Sequence, residues 1–205
     1  MQLEVAECTR VCVYDRSGTG NSSATPKLGT IQAIAEELHT LLAAADVDPP
    51  YVLVGHSLGG MIVLQFATAY PGETVGMVMV DTSAVDPRDR LQAELTPEEW
   101  RQYGAQGHEG DFSLPEGSDL LGAGAVNLAD IPLVVLTAGI VGTGVPADVA
   151  ARVQEIRLDM HRELLDLSTD STHMIAENSD HAIPTKHPEI VVDAISQVVE
   201  TIRSP

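Results

Sequence analysis

The chain has 205 residues, 44% of them hydrophobic, with 11 basic against 30 acidic side chains and a net charge of −19. That length supports one good core but not two ordinary domains, and the apolar content is that of a globular chain rather than a disordered one. The acidic balance argues against nucleic acid or an anionic membrane as partner, since neutralising phosphate takes an excess of lysine and arginine. The N-terminus lacks the basic and apolar signature of a secretory leader, and no apolar run reaches membrane-spanning length. A soluble cytoplasmic protein is the expectation.

In chain order, Cys8 and Cys12 come first, beside or within an apparent strand. Side chains four apart on a strand share a face but lie too far apart for easy bridging, so two reduced core thiols are expected. No metal cluster accompanies them. Arg10 to Tyr14 reads as a buried strand, followed by a polar, glycine-rich loop through Ser23. Ile31, Ile34, Ala35, Leu38, Leu41 and Leu42 recur at helical spacing, and Asp46 to Pro50 ends that helix.

The run Val52-Leu53-Val54 then stops abruptly at Gly55-His56-Ser57-Leu58-Gly59, and an amphipathic stretch from Met61 follows. This is a strand, a sharp turn and a helix with a serine at the apex, the context that a nucleophile elbow requires. Gly55 and Gly59 are expected to spare the turn from side-chain collisions. The amide of Leu58, opening the helix, is aimed at negative charge developing beside the Ser57 hydroxyl.

Beyond Pro71-Gly72, strands are expected at Gly76 to Val80 and Leu133 to Leu136. A charged helix spans about Pro146 to Leu167, a last strand Ser171 to Ala176, and a closing amphipathic helix Glu189 to Ile202. Short apolar strands alternating with helices imply an α/β fold, a mostly parallel sheet covered on both faces, in one domain over 1–205. Ser83 to Asp130 breaks the rhythm with charge, glycine, proline and the only tryptophan, Trp100, and reads as a short lid insertion.

A serine hydroxyl needs a base. Of seven histidines, His56 leaves the elbow in another direction, His39 and His161 read as helix-surface residues, and His108 lies in the lid. His173 sits within the last strand, and His187 precedes Pro188 at a helix start. His181 remains, on the loop between the last strand and the last helix, at the sheet edge where Ser57 also lies.

With these residues in place the chain resembles the α/β-hydrolase superfamily, over that family's C-terminal two-thirds. It is similar above all to bacterial hydrolases carrying Val-Tyr-Asp-Arg-x-Gly-x-Gly-x-Ser before the elbow, matched by Val13 to Ser22. His181 and Pro188 match the family's closing histidine and proline. The resemblance implies that Ser57 attacks a carbonyl, that His181 is base and then acid, and that a carboxylate orients it. Family members usually place that acid after the strand matched by Leu133 to Thr137, where this chain has Gly142. Another branch of the superfamily places it at the end of the preceding strand, which lands on Asp81. The competing view of Asp81 is a strand-end cap, and Asp86 and Asp148 are further candidates.

The resemblance also implies about three further strands before Val11, together with a His-Gly loop giving a second oxyanion amide. Without them, a slot is expected between Val11–Tyr14 and Val52–Gly55, with weak activity and poor stability. The chain thus reads as an N-terminally truncated serine hydrolase of an ester or related carbonyl. Its triad is Ser57, His181 and Asp81, with Leu58 at the oxyanion, no cofactor and no metal. A small-molecule acyl substrate is the partner, and the oligomeric state stays open. The alternative is a catalytically impaired remnant acting as a binding or structural module. Trp100, Tyr103, Phe112 and Leu114 either line a pocket or anchor the lid.

Overall fold

The computed structural model describes residues 1–23, 30–82, 87–104 and 126–204. Four parallel strands form one sheet in the order β1-β2-β3-β4: β1 Tyr51–His56, β2 Thr74–Val80, β3 Leu133–Ala138 and β4 Ser171–Ala176. Parallel neighbours need crossovers, and the helices supply them. They are α1 Gln2–Cys8, α2 Ile31–Ala44, α3 Leu58–Ala69, α4 Pro87–Glu94, α5 Pro97–Tyr103, α6 Ala147–Glu163, α7 Ile183–Lys186 and α8 Pro188–Arg203. A 3-10 turn, Leu164–Leu167, follows α6.

Side-chain alternation along the strands divides the core. Met77, Met79, Leu133 and Val135 pack under α2 and α3 with Ile31, Leu38, Leu64 and Phe66. Val78, Val80, Val134 and Leu136 pack on the opposite face with Val191, Ala194 and Val198 of α8 and Val5 of α1. Every β3 residue is buried, as a central strand of a doubly covered sheet must be. Local chemistry agrees with these boundaries. Thr30 caps α2 by accepting from Ala33 N at 3.1 Å, and Thr96 with Glu99 forms a capping box at the start of α5.

Of the span 83–130, residues 87–104 and 126–130 are described. Residues α4 and α5 pack on α6, where Leu91 and Leu95 meet Val149, Val153, Ile156 and Met160, with Trp100 and Tyr103 beside them. Asp86, His108, Phe112 and Leu114 lie outside the described residues.

Two expectations fail at the front. Arg10 to Tyr14 is not a strand, and Val13 and Tyr14 are 68% and 40% exposed. An apolar run becomes a strand only beside another backbone, and among the described residues no strand pairs with the outer edge of β1, where Val54 is 41% exposed. Cys8 and Cys12 are exposed free thiols rather than core residues, because Cys8 ends helix α1 and Cys12 lies in the unpaired segment.

Candidate active site

The turn from β1 into α3 holds Ser57 at φ 55° and ψ −125°, a backbone region costly for a side chain. Bonds on both sides fix it. Ser57 N donates to Val80 O at 2.9 Å, and its carbonyl accepts from Gly60 N at 2.9 Å and Thr82 Oγ1 at 2.6 Å. The glycines divide the steric work differently from the sequence expectation. A Cβ at Gly55 would lie 2.3 Å from Gly59 O, and one at Gly60 would lie 2.3 Å from Thr82 Cγ2, whereas one at Gly59 would meet open space. Gly60, not Gly59, lets α3 approach the end of β2. Leu58 is the first helical residue, so its N–H has no intrahelical acceptor and points out of the helix start.

Asp81 immediately follows β2, with φ 44° and a side chain only 1% exposed. Its Oδ1 accepts from Ala138 N at 2.8 Å, so it does cap the neighbouring strand. Its Oδ2 takes two further donors at 2.6 Å each, His181 Nδ1 and Arg157 Nη2. Burial alone would raise its pKa. The His181 hydrogen bond, the Arg157 charge and the Ala138 amide outweigh that and hold the carboxyl well below the usual carboxylate range.

His181 sits past β4 on a loop braced at several points. Asp180 Oδ1 accepts from Ala182 N at 3.1 Å and its Oδ2 from Lys186 Nζ at 2.5 Å, while Ile140 N donates to Ser179 O at 3.0 Å. His56 adds a further brace. Its Nε2–H donates to His181 O at 2.7 Å, and the two rings lie 4.6 Å apart. The His56 side chain thus turns toward the His181 loop, a role its sequence position did not reveal.

Ser57, Asp81 and His181 line one cavity of about 410 Å³, with Leu58, Met61, Leu91, Trp100, Val141 and Met160 among its walls. Trp100 and Tyr103 both line it and pack on α6, so the two readings of these side chains coincide. Gly142 is on the wall, but Asp148 is exposed in the first turn of α6 and outside the lining.

The expectation for His161 is overturned. It is 4% exposed and lines the cavity. Burial leads in lowering its pKa from 6.5 to about 4, with Arg157 adding to this and Asp81 opposing it. A signal existed in the sequence. Val153, Arg157 and His161 recur at four-residue spacing, one helical face beside the buried stripe Val149, Ile156 and Met160. His39, also read as a surface residue, is stacked on Tyr70 at 3.7 Å and lies 3.2 Å from Glu73 Oε1.

Among the described residues no cluster of three or more His, Cys, Asp or Glu side chains is placed to hold a metal, and no helix is long and apolar enough to cross a membrane.

A family model described as the alpha/beta hydrolase fold matches residues 6–121. The uncharacterized protein YqjL of Bacillus subtilis is 32% identical over 190 residues, 92% of this chain and 72% of that protein. RutD of Cronobacter turicensis, provisionally named a carbamate hydrolase, is 37% identical over 106 residues, 47% of this chain and only 39% of its own length. Among solved structures, a thermophilic esterase from Thermogutta terrifontis superposes with a TM-score of 0.57 at 19% identity, over 93% of this chain and 79% of that one. With a parallel sheet, a strained strand-turn-helix serine and these matches, the chain belongs to the α/β-hydrolase fold family.

Proposed function

We propose that the chain is a serine hydrolase cleaving an ester or related carbonyl substrate through Ser57, His181 and Asp81. The observation that carries this reading is the 2.6 Å bond from His181 Nδ1 to the buried Asp81 Oδ2, on a cavity wall shared with Ser57. With Nδ1–H donated to the carboxylate, the lone pair of His181 lies on Nε2, the nitrogen that takes the Ser57 proton. Ser57 Oγ then bonds to the substrate's carbonyl carbon, and the carbonyl oxygen becomes an oxyanion facing the Leu58 amide at the start of α3. His181 returns the proton to the departing alkoxide, leaving an acyl-serine. Water, deprotonated by the same nitrogen, releases the acid and restores Ser57. The names of the RutD and Thermogutta proteins support this chemical class, since carbamates and esters both offer an acyl carbon bearing an oxygen leaving group.

The test is hydrolysis of a short-acyl 4-nitrophenyl ester. Ser57→Ala and His181→Ala are expected to lower kcat by on the order of a thousandfold or more. Asp81→Asn, which leaves the imidazole without its tautomer-fixing acceptor, is expected to approach that loss. A non-catalytic module on the same fold predicts no turnover by the parent chain and no difference among the variants.

A further inference from the structure

Acyl transfer through Ser57 leaves one buried polar side chain of the cavity unused. His161 Nδ1 lies 2.7 Å from Thr137 Oγ1 on β3, and that hydroxyl lies 2.7 Å from His173 Nε2 on β4. Thr137 is fully buried. A hydroxyl has one proton, so Thr137 donates to one imidazole and accepts from the other. Two proton arrangements satisfy the row. In one, Thr137 donates to His161, whose Nε2 then carries a hydrogen. In the other, His161 Nδ1 donates to Thr137, which donates to His173, and His161 Nε2 is left as an acceptor.

In both arrangements the second nitrogen of His161 has no hydrogen-bond partner among the described residues. It is not sealed away either. The His161 ring lines the cavity, and among the described residues its Nε2 is not one of the side-chain atoms buried without a partner, which are Thr74 Oγ1 and Gln154 Oε1. A ligand that displaces water from this nitrogen without replacing its hydrogen bond loses affinity, whereas one that completes the bond does not. The group to be matched is uncharged, because burial keeps His161 neutral near neutral pH. Of the charged side chains on the lining, Arg157 pairs with Asp81 at 2.6 Å and Asp180 with Lys186 at 2.5 Å, and Arg88 lines it as well.

We propose that His161 is a specificity-determining contact, and that the substrate is an ester bearing a second, uncharged hydrogen-bonding group, a hydroxyl above all. A hydroxyl both donates and accepts, so it satisfies Nε2 in either proton arrangement. This substrate class rests on the reading of the Ser57 cavity as an acyl-ester site, but its binding is measurable without turnover.

The experiment uses the Ser57→Ala chain and two matched pairs of ligands: ethyl lactate with ethyl propanoate, and ethyl 3-hydroxybutanoate with ethyl butanoate. The hydroxylated member of at least one pair is expected to bind about tenfold tighter, and His161→Phe to abolish the difference. In the His161-containing protein, the same ligand is expected to shift the ring ¹⁵N resonance of His161 while leaving that of His187 unchanged. This reading does not depend on how well the phenylalanine variant folds. Equal affinities within both pairs, a preference that survives His161→Phe, an unmoved His161 resonance, or no binding of any of the four esters would each overturn the proposal. Failure of the serine reading shows separately, as unchanged ester hydrolysis when Ser57 is replaced.

Discussion

Asp81 concentrates the electrostatics of the site, because one buried carboxylate serves a backbone amide, a guanidinium and an imidazole at once. Arg157 shares Oδ2 with His181, so its removal leaves the carboxylate with less opposing charge. Arg157→Met is expected to destabilise the fold by about 3 kcal/mol, the scale for breaking a largely buried pair, measurable as a lower denaturant midpoint. His161 gives a separate signature in pH. Its folded pKa of about 4 lies below the unfolded 6.5. The unfolded chain therefore binds the proton first, and stability falls as pH drops from about 6.5 to about 4, by up to about 3 kcal/mol from this residue. His161→Phe is expected to reduce the fall in urea-measured stability across that window, with His56 and His173, also lowered by burial, supplying the remainder. Asp81 acts lower down: its carboxyl is depressed, so its contribution is complete above the unfolded carboxylate value and is lost only as pH falls beneath it.

At the scale of elements, the elbow turns on how closely α3 approaches the end of β2. Gly60→Ala forces a methyl group into Thr82, whose hydroxyl also holds Ser57 O, so a loss of about 1–3 kcal/mol is expected. Gly59→Ala meets open space at a helix position and is expected to be neutral or mildly stabilising in thermal melts. The sequence pattern pointed to two glycines flanking the serine, but only the packing of α3 on Thr82 distinguishes Gly59 from Gly60. The strands β1 to β4 were legible because short apolar runs bounded by Pro, Gly and helical spacing specify buried parallel strands. Arg10 to Tyr14 carries the same local signal yet stays unpaired, since a strand needs a backbone beside it and none pairs with this segment among the described residues. Asp81 was named through the resemblance to the superfamily, one branch of which carries a carboxylate at the end of the strand matched by β2. Arg157 and His161 were not, because a charged helix reads as solvated until α4 and α5 are seen to cover part of it.

For the whole molecule, a net charge of −19 spread over a doubly covered four-stranded sheet implies self-repulsion in the compact state. Raising sodium chloride from about 0.05 M to about 0.5 M shortens the Debye length severalfold and is expected to lift Tm by about 3 °C. Within the cavity the acidic side chains are paired, Asp81 with Arg157 and Asp180 with Lys186. That pairing leaves no unpaired carboxylate among the described lining residues to repel an acyl ester. The central claim, that this cavity contains an activated serine, is tested most directly by exposing the chain to a fluorophosphonate and locating the adduct by peptide mass spectrometry. One stoichiometric adduct on the Ser57 peptide is expected, lost in Ser57→Ala and slowed by at least about a hundredfold in His181→Ala. An unlabelled chain, or labelling that persists without Ser57, would contradict it.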